Sequence, residues 1–432
     1  MKILLLGSGG REHAIAWRLL QDDADLQLFT APGNAGTAQL GTNLPLSATD
    51  LDGLVAWALR EKPDLTVVGP EAPLCAGVVD RFEQAGLPIF GPNAAAARLE
   101  GSKVYTKNFL LKHGLPTAPG ECFTNSLSAR AYSQKHNLYP QVLKADGLAA
   151  GKGVIIAQTP LEAEQAIDQI MDQRIFGEAG SAMVIEEFSV GREMSIHVLT
   201  DGISHFILPI SQDHKKLGEG DTGSNTGGMG AYAPAPFATP ELLAQISAQV
   251  VEPVLAGFRK EGIDFRGILY IGVIWTKDGP SILEFNVRGG DPETQVLLPL
   301  IDTPLVEIFQ AVREQRLGQL EIRLNTKHAV TVVMASAGYP GMPAQVSSID
   351  GLDTDIPATV VFHSGTTLGV KRNDGSIFRG EKVFASGGRV LSVTAWAADL
   401  ASARQLAYQR VAKIHFAGSQ YRRDIAARLT LE

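Results

Sequence analysis

The segment SILEFNVRGGDPETQ, residues 281–295, holds the densest set of side chains able to do chemistry. Glu284 and Asn286 lie two apart in a stretch that reads as a strand, so both leave one face while Phe285 leaves the other. A carboxylate and an amide oxygen side by side are hard oxygen ligands, suited to Mg²⁺ held jointly with nucleotide phosphates. Arg288 continues that face and could stabilise charge on a transferred phosphoryl group. A merely solvated strand face would show the same alternation.

Three further segments offer chemistry of a related kind. In KADGLAAGKGV, Gly147, Gly151 and Gly153 would let the backbone fold over nucleotide phosphates, while Lys144 and Lys152 neutralise their charge. No Ser or Thr follows the glycine-lysine pair, so this is not a Walker loop; strand, glycine flap, strand fits a hairpin closing over ATP. GSGGRE follows the first apolar run and opens a helix, where free N–H groups could receive a phosphate or where the glycines could simply make a tight turn. A dinucleotide site is excluded by Glu12 in place of a third glycine and by Thr30 and Ala31 in place of a terminal acid. A phosphorylated sugar remains. QDHKKLGEGDTGSNTGGMGAYAP, from Gln212 to Pro234, reads as too polar and glycine-rich for a regular element and too long for a simple connection. Asp213, His214 and Lys215 could touch a substrate there, or could only be solvated.

The elements that must position these residues follow from periodicity. Up to about residue 100, short apolar strands (ILLL at 3–6, LQLF at 26–29, LTVV at 65–68) alternate with helical stretches, the rhythm of a parallel doubly wound sheet. The connections APGNAGT and VGPEAPL follow strand ends, where such sheets bind ligands. A helical pair then leads into a small α+β unit after Pro116, in the order QVLKA, glycine flap, VIIAQ, helix, AMVIEEF. From Arg192 antiparallel hairpins are expected around Asp201-Gly202 and Asp278-Gly279. The tail from 328 reads as a further, mainly β module with a closing helix around ARQLAYQRVAKIH.

Bulk properties agree with a multidomain α/β and α+β protein carrying a cleft. The chain has 432 residues, 45% apolar and 19% charged, and no apolar run approaches the roughly 20 residues of a bilayer span. A net charge of −8 opposes nonspecific nucleic-acid binding. Cys75 and Cys122 are too few for a disulfide framework and lack metal-ligand spacing, and MKILLLGSGG runs into a glycine turn without a cleavage site; both point to the cytoplasm.

Taken together, GSGGREHAIAW, APGNAGT, VVGPEAPL, LEGSK, KADGLAAGKGV, VIEEF, QDHKK, NTGGMGAYAP and EFNVR with GDPETQ resemble, in order and spacing, the motifs of the glycinamide ribonucleotide synthetase family of the ATP-grasp superfamily. The resemblance implies an N-terminal Rossmann-like domain over 1–101, an ATP-grasp domain over 102–320 with a lid at about 117–190, and a small mainly β C-terminal domain over 325–425. It implies that Lys103 and Lys144 bind ATP phosphates under the flap of Gly147, Gly151, Lys152 and Gly153. Glu186, Glu187 and Phe188 would form the hinge that reads adenine, Glu193 would hold the ribose hydroxyls, and Glu284 with Asn286 would bind Mg²⁺ or Mn²⁺. Gly9, Gly10, the Asn34-Ala35-Gly36-Thr37 turn and Glu71 would take 5-phosphoribosylamine, while Asp213, Arg288 and Asp291 face the reacting groups. The implied reaction joins glycine to phosphoribosylamine through glycyl phosphate, an early step of purine biosynthesis, with small-molecule partners, no nucleic acid and no membrane.

Two positions depart from the family pattern. Gly289 stands where a bulky apolar residue is usual, and Ser224 where proline is usual. A bulky side chain at 289 is expected to anchor the loop by packing, so that Gly289→Phe or Gly289→Leu should raise the melting temperature. A carboxylating or formate-using relative would share the ATP machinery but not GPEAPL and QDHKK. Intact Lys144, Glu284, Asn286 and Arg288 argue against a nucleotide sensor without turnover.

Overall fold

The computed structural model describes residues 1–148, 153–341, 346–371 and 377–427. Every residue of β1 (Lys2–Gly7) after Lys2 is buried, as a strand covered on both faces requires. β1 lies at the centre of a parallel sheet with β2 (Gln27–Pro32), β3 (Thr42–Asn43), β4 (Leu65–Val68) and β5 (Ile89–Phe90), in the order β3-β2-β1-β4-β5. The strand order reverses between β1 and β4. The crevice outside their carboxyl ends is therefore walled by the start of α1 (Gly10–Asp22) and by the short helix Glu71–Cys75.

The lid is an antiparallel sheet of β6 (Gly120–Phe123), β7 (Gln141–Ala145), β8 (Val154–Ala157) and β9 (Met183–Glu187), ordered β6-β9-β7-β8. Leu143, Ile167, Ile170, Met183 and Ile185 give it a core of its own. The flap joins β7 to β8; Gly151 and Lys152, assigned to it from sequence, lie outside the described residues.

The two expected hairpins form one sheet. β10 (Arg192–Thr200) pairs with β11 (His205–Ile207) around Asp201-Gly202 and runs antiparallel to β16 (Gly267–Thr276), which pairs in turn with β17 (Gly279–Asn286). One continuous helical stretch from Pro240 to Glu261 packs on it through Val250, Val254 and Phe258, spaced i, i+4, i+8, against Ile271, Val273 and Phe285. Thr239 caps its start and left-handed Gly262 ends it.

The glycine-rich segment 212–234 departs from the expectation of an irregular loop. It contains β12 (Gln212–Asp213), the hairpin β13 (Lys216–Gly218) with β14 (Thr222–Asn225), and β15 (Gly230–Ala233). The four residues of β15 are buried and pair with β18 (His328–Ala335). The tail sheet, ordered β12-β15-β18-β23-β20 with β20 (Thr359–His363) and β23 (Arg389–Ala397), therefore takes two strands from mid-chain. A second small sheet holds β19 (Ser347–Ser348), β21 (Thr366–Lys371) and β22 (Ile377–Ala385), and the closing helix spans Leu400–Val411. Ser224 lies exposed in β14. Among the described residues no helix is long and apolar enough to cross a membrane.

Candidate active site

Strand β17 presents Glu284 and Asn286 opposite Gly272 and Tyr270 of β16, on one face as the period of two requires. The Glu284 carboxylate accepts no hydrogen bond from the described residues. Burial would raise its pKa, yet Lys215, Lys144, Lys103 and Arg288 together hold it below the ordinary carboxylate value. Among the described residues Asn286 Oδ1 accepts only from Arg288 Nη2, at 3.1 Å. No group of three His, Cys, Asp or Glu among the described residues is placed to hold a metal ion. An ionised, unpaired carboxylate beside one amide oxygen fits a divalent cation whose remaining ligands come from phosphate oxygens and water.

Arg288 is held from two sides. Its Nε donates to Glu71 Oε2 at 3.1 Å and its Nη2 to Glu100 Oε1 at 2.7 Å. Glu100, which sequence reasoning passed over inside LEGSK, also accepts from Val287 N at 2.8 Å. Burial pushes its carboxyl up to about 7, with Glu71 adding to the shift and Arg288 opposing it. At Glu71 burial is outweighed by Arg288 and Arg11, and the pKa lies below the ordinary value. The only sequence signal for Glu100 was an acid in the last turn of an alanine-rich helix, where it would normally be solvated.

The lysines converge on the other side of Glu284. Lys103 Nζ donates to Gly147 O at 2.9 Å, at the base of the flap, and Lys144 Nζ donates to Leu283 O at 3.0 Å. Burial lowers the Lys103 pKa, while Glu284 raises it and Lys144 lowers it further. Glu186 turns inward: Lys144 Nζ lies 2.5 Å from its Oε2 and the buried Lys107 Nζ 2.8 Å from its Oε1. Lys107 carries no sequence signal, because a lysine on a helix normally reads as solvated. Glu187 and Phe188 are exposed at the end of β9, and Gly153 is buried.

Asp213, on β12, is pushed up to about 7 by burial and by Glu293, Glu193 and Glu284, against the pull of Lys215. Lys215 lies 3.3 Å from Glu193 Oε2 and is held above the ordinary amine range, since Asp213, Tyr270, Glu193 and Glu284 outweigh burial. His214 points away from this group. Its ring packs near Tyr232, and burial lowers its pKa to about 4.

In the first domain two of the helix-start amides already have acceptors. Gly9 N donates to Glu12 Oε2 at 2.6 Å and Arg11 N to Asp291 Oδ2 at 3.3 Å. Gly10 is buried against the tail module: a Cβ there would lie 2.7 Å from both Gln295 Nε2 and Ser364 Oγ. Asn34 Oδ1 accepts from Gly36 N and Thr37 N, and its Nδ2 donates to Ser8 O and His363 O. Asn34 and Thr37 are buried, and Gly36 lies so close to His13 that a Cβ would meet the ring at 2.1 Å. The turn thus stiffens the crevice wall through internal bonds instead of offering free side-chain groups.

At Gly289 the expected empty space is not at the Cβ position. A Cβ would meet Thr294 Oγ1 at 2.5 Å, and that hydroxyl donates to Gly290 O at 2.7 Å. The loop is anchored by other means. Arg11 Nη1 donates to Gly289 O at 2.9 Å, and Gly290 N donates to Nε2 of the buried His197 at 3.0 Å.

Comparison with known proteins finds matches along nearly the whole chain. Residues 1–100, 101–294 and 329–428 match the N domain, the ATP-grasp (A) domain and the C domain of phosphoribosylglycinamide synthetase. A phosphoribosylamine–glycine ligase of Chlorobaculum tepidum is 46% identical over 99% of this chain and 100% of its own length. One from Nostoc sp. is also 46% identical, over 99% of this chain and 100% of its own. The crystal structure of phosphoribosylamine–glycine ligase from Thermotoga maritima superposes with a TM-score of 0.82 at 34% identity, covering 98% of this chain and 100% of that one. The biotin carboxylase domain of Hydrogenobacter thermophilus 2-oxoglutarate carboxylase, in complex with MgADP, shares the fold at 15% identity and a TM-score of 0.72, over 97% and 91% of the two chains. With all three family domains matched in order and full-length relatives at this identity, the chain belongs to the phosphoribosylglycinamide synthetase family.

Proposed function

We propose that the chain catalyses ATP-dependent ligation of glycine to 5-phosphoribosylamine, giving glycinamide ribonucleotide, ADP and phosphate. The observation that carries this reading is the unpaired, ionised Glu284 ringed by Lys103, Lys144, Lys215 and Arg288. Four cations face this one carboxylate in a site whose charges are otherwise paired, Lys144 with Glu186, Lys215 with Glu193 and Arg288 with Glu71 and Glu100. It suits a polyphosphate bound together with a divalent cation.

Amide formation needs an activated carboxyl group. A glycine carboxylate oxygen attacks the γ-phosphorus of ATP, ADP leaves, and the resulting glycyl phosphate loses phosphate when the amine of phosphoribosylamine attacks its acyl carbon. Lys103 and Lys144 neutralise phosphate charge beneath the flap, and Arg288, locked by Glu71 and Glu100, offers its charge without reorganising. Glu284 and Asn286 would hold a Mg²⁺ or Mn²⁺ ion, which when bound would supply further neutralisation of phosphoryl charge. Asp213, with a carboxyl titrating near neutrality, is suited to take the proton released as the amine attacks. Glu186 to Phe188 form the hinge at the adenine, with Glu193 near the ribose. Phosphoribosylamine lies at the crevice bounded by α1, the Asn34–Thr37 turn and Glu71, with Asp291 at the junction.

The test is phosphate release from ATP with glycine and phosphoribosylamine each omitted in turn, together with detection of the amide product. Release should require both. Release independent of either substrate would reject the ligase reading, and no release under any combination would favour a sensor.

A further inference from the structure

We propose that Arg389, at the first residue of β23 in the tail module, is a positioning residue for the ligation, fixing Asp291 and the 226–229 loop against the opening of α1. This rests on the function proposed above. One guanidinium nitrogen makes three contacts. Arg389 Nη1 donates to Gly227 O at 2.6 Å and to Asp291 O at 2.7 Å, and lies 3.2 Å from Asp291 Oδ1.

Asp291 is the point where three modules meet. Its carboxylate accepts from Arg11 N of the first domain at 3.3 Å, from Gln295 Nε2 of its own segment at 2.9 Å, and is paired with Arg389 from the tail. Burial would make the carboxyl harder to ionise; Arg389 and Arg11 offset this and keep it below the ordinary value. The loop is gripped by the tail module a second time, since Gly227 N donates to Tyr339 Oη at 2.9 Å. A Cβ at Gly227 would sit 3.2 Å from the Arg389 guanidinium carbon, so a larger residue there must push the guanidinium back. The nucleotide side of the site, by contrast, is built from Lys103, Lys144 and Glu284, none of which makes a hydrogen bond or ion pair with the described residues of the tail module. Loss of Arg389 should therefore loosen the phosphoribosylamine side and spare the nucleotide side.

Full-length Arg389→Met, Arg389→Lys and Gly227→Ala decide the matter against wild type. Arg389→Met should lower kcat/KM for phosphoribosylamine by at least about tenfold, since small misplacements at a reacting centre are costly, with ADP–Mn²⁺ affinity unchanged. Its acid limb of kcat/KM should move to higher pH, because Asp291 loses a neighbouring cation. Arg389→Lys should recover most of the loss: all three contacts end on a single nitrogen, which an ammonium can replace. Gly227→Ala, which crowds the same guanidinium, should reproduce the selective loss and serves if Arg389→Met does not fold. Wild-type kinetics in Arg389→Met, a parallel fall in nucleotide affinity, or a lysine variant no better than methionine would each overturn the inference. A wild-type enzyme that makes no amide would instead overturn the functional reading.

Discussion

Arg288 Nε donates to Glu71 Oε2 at 3.1 Å across 217 residues of chain, joining the ATP-grasp sheet to the first domain at the switch point of its parallel strands. From sequence the two residues had separate duties, one toward the transferred phosphoryl group and the other toward the sugar. Their pairing fixes the guanidinium and, on the roles proposed above, would couple the two substrate sides. Glu71→Gln should lower kcat by about ten- to a hundredfold, because a misdirected arginine at a site of developing charge loses a few kcal/mol of stabilisation. Nucleotide affinity should stay near wild type. Steady-state kinetics with a nucleotide titration check this, and an unchanged kcat would reject the coupling.

Glu284 accepts no hydrogen bond from the described residues, so its removal should leave the fold intact while removing one of the two proposed metal ligands. Glu284→Ala should abolish turnover at limiting Mg²⁺ and weaken Mn²⁺ binding in the presence of ADP. Near-normal Mn²⁺ affinity, read by electron paramagnetic resonance, would exclude Glu284 as a ligand.

Glu100 titrates at about 7 in the folded protein, well above its ordinary 4.5. Between these values the folded state holds a proton that the unfolded chain has released, so this stabilisation is full below about pH 4.5 and is lost as pH rises through 7. Asp213, raised from 3.8 to about 7, contributes with the same sign. Denaturation midpoints of the ligand-free protein should therefore carry a falling component between pH 5 and 7.5 that Glu100→Gln reduces. A midpoint difference between wild type and variant that is the same at both pH values would exclude the shift.

Gly289→Ala should destabilise, opposite to what the departure from the family pattern suggests. The new Cβ forces Thr294 off its bond to Gly290 O, and overpacking of this kind typically costs about 1 to 3 kcal/mol. Thermal melts decide the sign. A rise in melting temperature would show that the loop relaxes into the apolar cavity of about 40 Å³ that Gly289 lines with Val68, Phe90, Leu298 and Phe309.

Gly10→Val should lower both stability and phosphoribosylamine affinity, because the added atoms meet Gln295 and Ser364 at the seam with the tail module. Measured by melting and by substrate titration, a loss of affinity with an unchanged melting temperature would indicate a direct ligand contact at Gly10.

Much of this protein is determined by features that act over a few residues. A period of two placed Glu284 and Asn286 on one face, the apolar runs ILLL and LTVV specified parallel strands, and Asp201-Gly202 and Asp278-Gly279 specified hairpins, because backbone pleat and turn chemistry are local properties. Which charges meet is not local. The capture of Arg288 by Glu71 and Glu100, the inward turn of Glu186 onto Lys107 and Lys144, and the reach of Arg389 to Asp291 depend on which distant elements dock. So does the use of β15 by the tail sheet, in a stretch whose glycines read as loop until a buried partner strand supplies its hydrogen bonds. Only docking decides how deeply a carboxylate is buried and which cation faces it, and those two quantities set whether it is a metal ligand, a base near neutrality or a brace.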